Sequence, residues 1–137
     1  MEGKVNSGFA IESLILLESS FKRIDTVSFD DDVRNNLNIN TEVGVQGNVI
    51  NVVETVTIEQ LHGETRQVEI AVKMAGVFRK EGETEISDLE SFGHINGAAI
   101  IFPYIREHIT GLSLKAGINP LIIPPVNFTK REFVQKP

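Results

Sequence analysis

The sequence predicts an α+β domain, an antiparallel sheet of four strands followed by helices that pack on one of its faces. Three observations predict it. Between residues 9 and 78, apolar side chains recur at every second position in successive blocks separated by turn residues. After Lys80 the period becomes helical, with Ile101, Ile105, Ile109, Leu112 and Ala116 on one stripe. Beyond Gly117, the prolines Pro120, Pro124 and Pro125 keep the chain extended and irregular.

In the first strand, Phe9, Ile11, Ile15, Leu17 and Phe21 share one parity, while Leu14 and Leu16 load the other. A strand with apolar residues on both faces calls for cover on both sides, which a second subunit can supply. The run Asp30-Asp31-Asp32 reads as a solvated loop. In the second strand Leu37, Ile39, Val43 and Val45 alternate with Asn38, Asn40, Glu42 and Gln46, and Gly47-Asn48 supplies a turn. Ile50, Val52, Val56 and Ile58 mark a third strand, rich in β-branched residues, from about Val49 to Leu61. Glu54 interrupts its apolar face and is expected at an end or edge, near water. His62-Gly63-Glu64 is short enough for a hairpin, with Gly63 free to take positive φ. The clearest strand runs from Arg66 to Phe78. There Val68, Ile70, Val72, Met74 and Phe78 share a parity, and Gln67, Glu69, Lys73 and Arg79 fall mostly on the other.

Glu81-Gly82-Glu83 reads as a turn, and Ser87-Asp88-Leu89-Glu90 resembles a capping box for a short helix. Asn96 is the expected cap of the main helix and Gly117 its stop. Pro103 fits best in the first turn, since deeper in it would remove a hydrogen bond and bend the helix.

With 137 residues and no repeat or linker, residues 1–137 read as one domain. A net charge of −6, from 19 acidic and 13 basic residues, disfavours non-specific nucleic-acid binding. The absence of cysteine removes disulfides and thiolate metal sites. The first residues lack the pattern of a signal peptide, and the apolar block Leu14–Leu17 is too short to span a bilayer, so the expectation is a cytoplasmic chain without membrane insertion. Asn127-Phe128-Thr129 matches a glycosylation sequon, which this expectation discounts.

No P-loop or dinucleotide fingerprint occurs, and His62, His94 and His108 lie far apart without metal-ligand spacing. The sequence therefore points to no catalytic residue, metal or cofactor. Arg106, Glu107 and His108 form a polar helix face, or an acid–base pair if a pocket opens beside them. Phe102 and Tyr104 serve equally well in a core or in a binding groove.

One segment adds a resemblance. Phe102-Pro103-Tyr104-Ile105-Arg106-Glu107, Gly117-Ile118-Asn119-Pro120 and Pro125-Val126-Asn127-Phe128 are similar, in order and spacing, to the C-terminal signature of the SecB family of protein-export chaperones. The end of the last strand, Ala75-Gly76-Val77-Phe78, supports it. The resemblance implies a four-stranded antiparallel sheet with helices on one side, assembled as a dimer of dimers. It also implies an ATP-independent holdase that binds unfolded precursor proteins in apolar surface grooves, without metal or cofactor, and passes them to the SecA motor through acidic residues on the sheet.

The candidate groove residues are Phe78, Phe92, Phe102, Tyr104 and Ile123, and those of the SecA-docking face are Glu18 and Glu69. That face departs from the family pattern: a basic Lys22 stands near Glu18, Ala71 occupies the family's glutamate position, and the chain ends Lys130-Arg131-Glu132-Phe133-Val134-Gln135-Lys136-Pro137 where the family has an acidic tail. A relative serving one specialised client, such as an antitoxin, fits these departures. The rival readings are a small α+β enzyme of the hot-dog thioesterase kind, with Glu107 or His108 at a pocket on the central helix, and a purely structural oligomerisation module.

Overall fold

The four expected strands form as β2 (Phe9–Arg23), β3 (Val33–Gln46), β4 (Val49–His62) and β5 (Thr65–Lys80), with a short strand β1 (Gly3–Val5) added at one edge. The computed structural model describes residues 3–5, 8–82 and 88–129. All pairings are antiparallel, in the order β1-β2-β5-β4-β3. The helical layer follows as α1 (Leu89–Phe92), a π-helical turn (Gly93–Gly97) and α2 (Ala98–Lys115). The hairpin between β4 and β5 turns at Gly63, whose φ of +60° is the left-handed conformation that favours glycine.

Cross-strand register explains the two-faced first strand. Two bulges in β2, between Ile11 and Ser13 and between Leu16 and Glu18, each insert one residue and reverse the parity. Ile11, Leu14, Leu16, Ser19 and Phe21 thereby all lie opposite the helix-facing Phe78, Gly76, Met74, Val72 and Ile70 of β5. The single parity expected over Phe9 to Phe21 is therefore broken twice, and Ile15 and Leu17 fall on the outer face. On β4, the helix-facing set is Ile50, Val52, Glu54, Val56, Ile58 and Gln60, continued onto β3 by Val45, Val43, Thr41, Ile39, Leu37 and Asn35.

The core lies between this face and the helices. Phe9 stacks on Phe92 with ring centroids 3.7 Å apart, and Phe78 meets Phe92 edge-on at 5.6 Å. Close approach of the helical layer requires small residues. A Cβ at Gly93 would stand 2.6 Å from Val43 Cγ1, and one at Gly97 would stand 2.9 Å from Val52 Cγ2.

Three local expectations are corrected. Glu54 is not at an end or edge; it is 0% exposed in mid-strand, because β4 runs inside the sheet between β3 and β5 and beneath the helices. Asn96 does not cap α2, since helical backbone is continuous from Leu89 through the π-helical turn. Pro103 consequently sits inside the helix rather than in its first turn. Its ring leaves the carbonyl of exposed Ala99 without an intrahelical donor, and that carbonyl is free to meet water. The helix α1 is capped by Asp88, which accepts from Ser91 N at 3.0 Å, one residue later than the Ser87–Glu90 capping box places the cap. Ser87 and Glu83, and the C-terminal residues 130–137, lie outside the described residues.

Candidate functional site

The end of α2 builds an apolar cleft. Gly117 takes φ +71°, its N–H donates to Leu114 O, and the next N–H, of Ile118, donates to Ser113 O. This Schellman-type stop satisfies the last carbonyls and turns the chain back. Arg23 reinforces it, donating from Nη1 to Ala116 O at 2.5 Å. Two side chains of α2 then hold the returning tail: Thr110 Oγ1 donates to Leu121 O at 2.8 Å, and Ser113 Oγ accepts from Leu121 N at 3.0 Å.

Held this way, the tail runs beside the end of the sheet with Leu121 and Ile123 turned inward and Ile122 left 79% exposed. Between the tail and the sheet opens a cleft of about 460 Å³, lined by Pro120 to Pro124 on one side and by Asn35, Leu37 and Ile58 on the other. Its walls are aliphatic, and Asn35 supplies the one polar side chain among the lining residues.

Asn35 ends a chain of amides. Gln67 Oε1 accepts from Ser28 N at 3.0 Å, and Gln67 Nε2 donates to Ser28 O at 2.9 Å and to Gln60 Oε1 at 2.8 Å. Gln60 Nε2 donates in turn to Asn35 Oδ1 at 3.0 Å. Gln60 and Gln67 are both buried, so these bonds offset the desolvation of their amides.

The five aromatic and aliphatic candidates separate in space. Ile123 lines the cleft. Tyr104 lies 52% exposed on α2, whereas Phe78, Phe92 and Phe102 are buried beneath the helices. Phe102 meets Phe128 edge-on at 5.6 Å and carries Arg106 over its ring at 6.0 Å. Asn35, Leu37 and Ile58 went unnoticed in the sequence as cleft residues. The alternation of Leu121 and Ile123 with Pro120, Ile122 and Pro124 was the signal for the tail's two faces.

The outer sheet face is different in kind. Glu18 lies opposite Lys73, and Lys22 lies opposite Glu69. Arg66 bridges Glu59 at 2.7 Å and Glu69 at 2.9 Å. Lys22, Glu59 and Glu69 line a depression of about 410 Å³ together with Ser20, Asn36, Asn38, Thr57 and Ala71 and with the aliphatic Leu37, Ile58 and Ile70. Each candidate carboxylate here thus has a cation at hand.

Other polar groups do structural work. His108 turns to the sheet, its Nε2 2.8 Å from Ser19 Oγ, while Glu107 faces outward; successive helix positions point about 100° apart, so the two do not converge. His62 Nε2 lies 3.0 Å from Asp30 Oδ2, and Asp32 N donates to Asp30 Oδ1 at 3.0 Å. Ligand-type atoms of Asp30, Asp32 and His62 all fall within 4.8 Å of one another. The hydrogen bond from the Asp32 backbone, and then that from His62, hold the Asp30 carboxyl below its ordinary value. Among the described residues, no helix is long and apolar enough to cross a membrane.

Residues 4–135 match the model of the SecB family, described as preprotein translocase subunit SecB. The chain belongs to the SecB family. Its relatives include an uncharacterised protein of Methanocaldococcus jannaschii, 30% identical over 132 residues, covering 93% of this chain and 84% of that one. The protein-export protein SecB of Saccharophagus degradans is 30% identical over 132 residues, covering 93% and 78%. That of Legionella pneumophila is 29% identical over 125 residues, covering 88% and 76%. Among solved structures, the SecB-like chaperone of Mycobacterium tuberculosis, in complex with a ChAD peptide from the HigA1 antitoxin, superposes with a TM-score of 0.72 at 16% identity, covering 86% of this chain and 90% of that one. The SecB-like fold is thus established, and with the SecB family comes the activity of a holdase chaperone.

Proposed function

We propose that this SecB-family chain holds extended, unfolded polypeptide without ATP, seating client side chains in the cleft between the tail and the end of β3 and β4. The observation that carries this is an aliphatic cleft, open to solvent, with Leu37 and Ile122 exposed at its rim. Ile123 lines it and Tyr104 offers further surface along α2, while Phe78, Phe92 and Phe102 belong to the buried core. Burying one client side chain of leucine size contributes about 1.5–3 kcal/mol, much of which the ordering of client and chaperone offsets. One cleft therefore binds weakly, and several clefts on one assembly bind well. Main-chain hydrogen bonds to an extended client would add to this.

The assembly is a dimer of dimers in this reading. Ile15, Leu16 and Leu17 are 50%, 47% and 50% exposed on β2, and among the described residues β1 pairs β2 only as far as Ile11. A second copy covers that strand. Clients are precursor proteins, or one specialised client such as an antitoxin, the kind of partner whose peptide the M. tuberculosis neighbour holds. Docking of SecA on Glu18 and Glu69 is expected to be weak, since Lys22, Lys73 and Arg66 offset their charge. The working compartment is the cytoplasm, and no catalytic residue, metal or cofactor takes part.

The test is suppression of aggregation of a chemically unfolded protein without nucleotide, with assembly mass from light scattering. Suppression by a tetramer supports the reading. A monomer without effect overturns it.

A further inference from the structure

The amide chain from Ser28 to Asn35 has a direction, and the direction has a consequence for what the cleft binds. Gln67 contacts both the N–H and the C=O of Ser28, so its Oε1 must face the first and its Nε2 the second. Gln60 therefore receives a donor from Gln67 and must present Oε1 to it. That leaves Gln60 Nε2 to donate to Asn35, whose Oδ1 must accept. Two backbone groups thus set every amide in the chain, and the orientation of Asn35 needs no free choice. Its Nδ2 points away from Gln60 and makes no hydrogen bond among the described residues, at the wall of a cleft otherwise lined by Leu37, Ile58, Ile123 and prolines.

We propose that Asn35 is a specificity-determining residue of the cleft, whose Nδ2 donates to a main-chain carbonyl of an extended apolar segment. This rests on the holdase reading above and goes further, because a purely aliphatic cleft would fix neither the register nor the chain path of its client. The ligand chemistry follows from the lining. Aliphatic walls select apolar side chains, and one oriented neutral donor selects an uncharged acceptor between them, which every extended peptide carries at each residue. Asn35 is exposed, so the donor is available, while its acceptor is held by buried Gln60, itself fixed by buried Gln67. Register is thereby pinned at one point while side-chain identity stays loose.

The experiment uses the full chain and a fluorescently labelled peptide in which leucine alternates with serine, read by anisotropy. Asn35→Leu removes the donor and enlarges the apolar wall. Asn35→Asp keeps an acceptor for Gln60 and turns an acceptor toward the cleft. The expected result is binding weaker about three- to tenfold for Asn35→Leu, and weaker still for Asn35→Asp, with melting checked so that only folded protein is compared. Peptides with a single trans-alkene in place of one amide supply the coupling readout. One position should weaken binding to the natural chain and have no further effect on Asn35→Leu. If the natural chain binds the peptide and Asn35→Leu binds as tightly or more tightly, the inference is overturned and the holdase reading stands. If the natural chain does not bind the peptide, the holdase reading falls and the inference with it.

Discussion

Single residues set both the stability of the helical layer and its response to acid. Gly93 is where the π-helical turn touches β3, and a methyl there would meet Val43 Cγ1 at 2.6 Å. Gly93→Ala should therefore destabilise the chain by about 1–3 kcal/mol, and adding Val43→Ala should return part of the loss, both read by denaturant melts. At the loop end, Asp30 is held below its ordinary pKa by the Asp32 backbone N–H and by His62. A depressed carboxylate contributes stability that is complete above its unfolded value, near 3.9, and is lost as pH falls through the lower folded value. Asp30→Asn should lower the melting temperature at neutral pH, make little difference below the folded value, and so flatten the loss of stability between the two. Neither effect was legible in the sequence. Gly93 is one of 11 glycines, and Asp30 meets His62 only once the β4–β5 hairpin lies against the loop.

At the level of elements, alternation was enough to find every long strand, because each is apolar on its helix side over most of its length. What alternation cannot show is a bulge. Leu14 and Leu16 fell out of phase with Phe9 and Phe21 in the sequence, and the two insertions in β2 put all four on one face. Glu54 misled for the opposite reason: a carboxylate in an apolar pattern suggests an edge, yet strand order placed β4 inside the sheet. Pro103 reads as a first-turn residue when the short helix at Leu89 is treated as separate from the main one, whereas the π-helical turn joins the two. The tail depends on two side chains of α2. Ser113→Ala removes the acceptor of Leu121 N at a buried position. It should cost about 1–3 kcal/mol, seen as a lower melting temperature, and should speed hydrogen exchange at Leu121.

As a whole molecule, the chain offers an aliphatic cleft at one end of the sheet, an apolar strand edge, and a charge-balanced outer face. The motif spanning Phe102 to Phe128 announced the family, but the cleft is made where that segment meets Asn35, Leu37 and Ile58, residues far away in sequence. Periodicity gives no account of such a meeting. The edge predicts assembly: Ile15→Lys together with Leu17→Lys should lower the mass measured by light scattering, while retention of the natural chain's oligomer would show that β2 is not the contact. The outer face predicts little or no capture of SecA in a pull-down.

Site-specific photo-crosslinking tests most directly whether the cleft is the client seat. A photoreactive phenylalanine analogue replaces Ile122 at the cleft rim in one variant and Asn38 on the outer face in another, and each is irradiated with an unfolded client. The expected result is client adducts from position 122 and few from position 38. Adducts from position 38 with none from position 122 would contradict the assignment of the cleft.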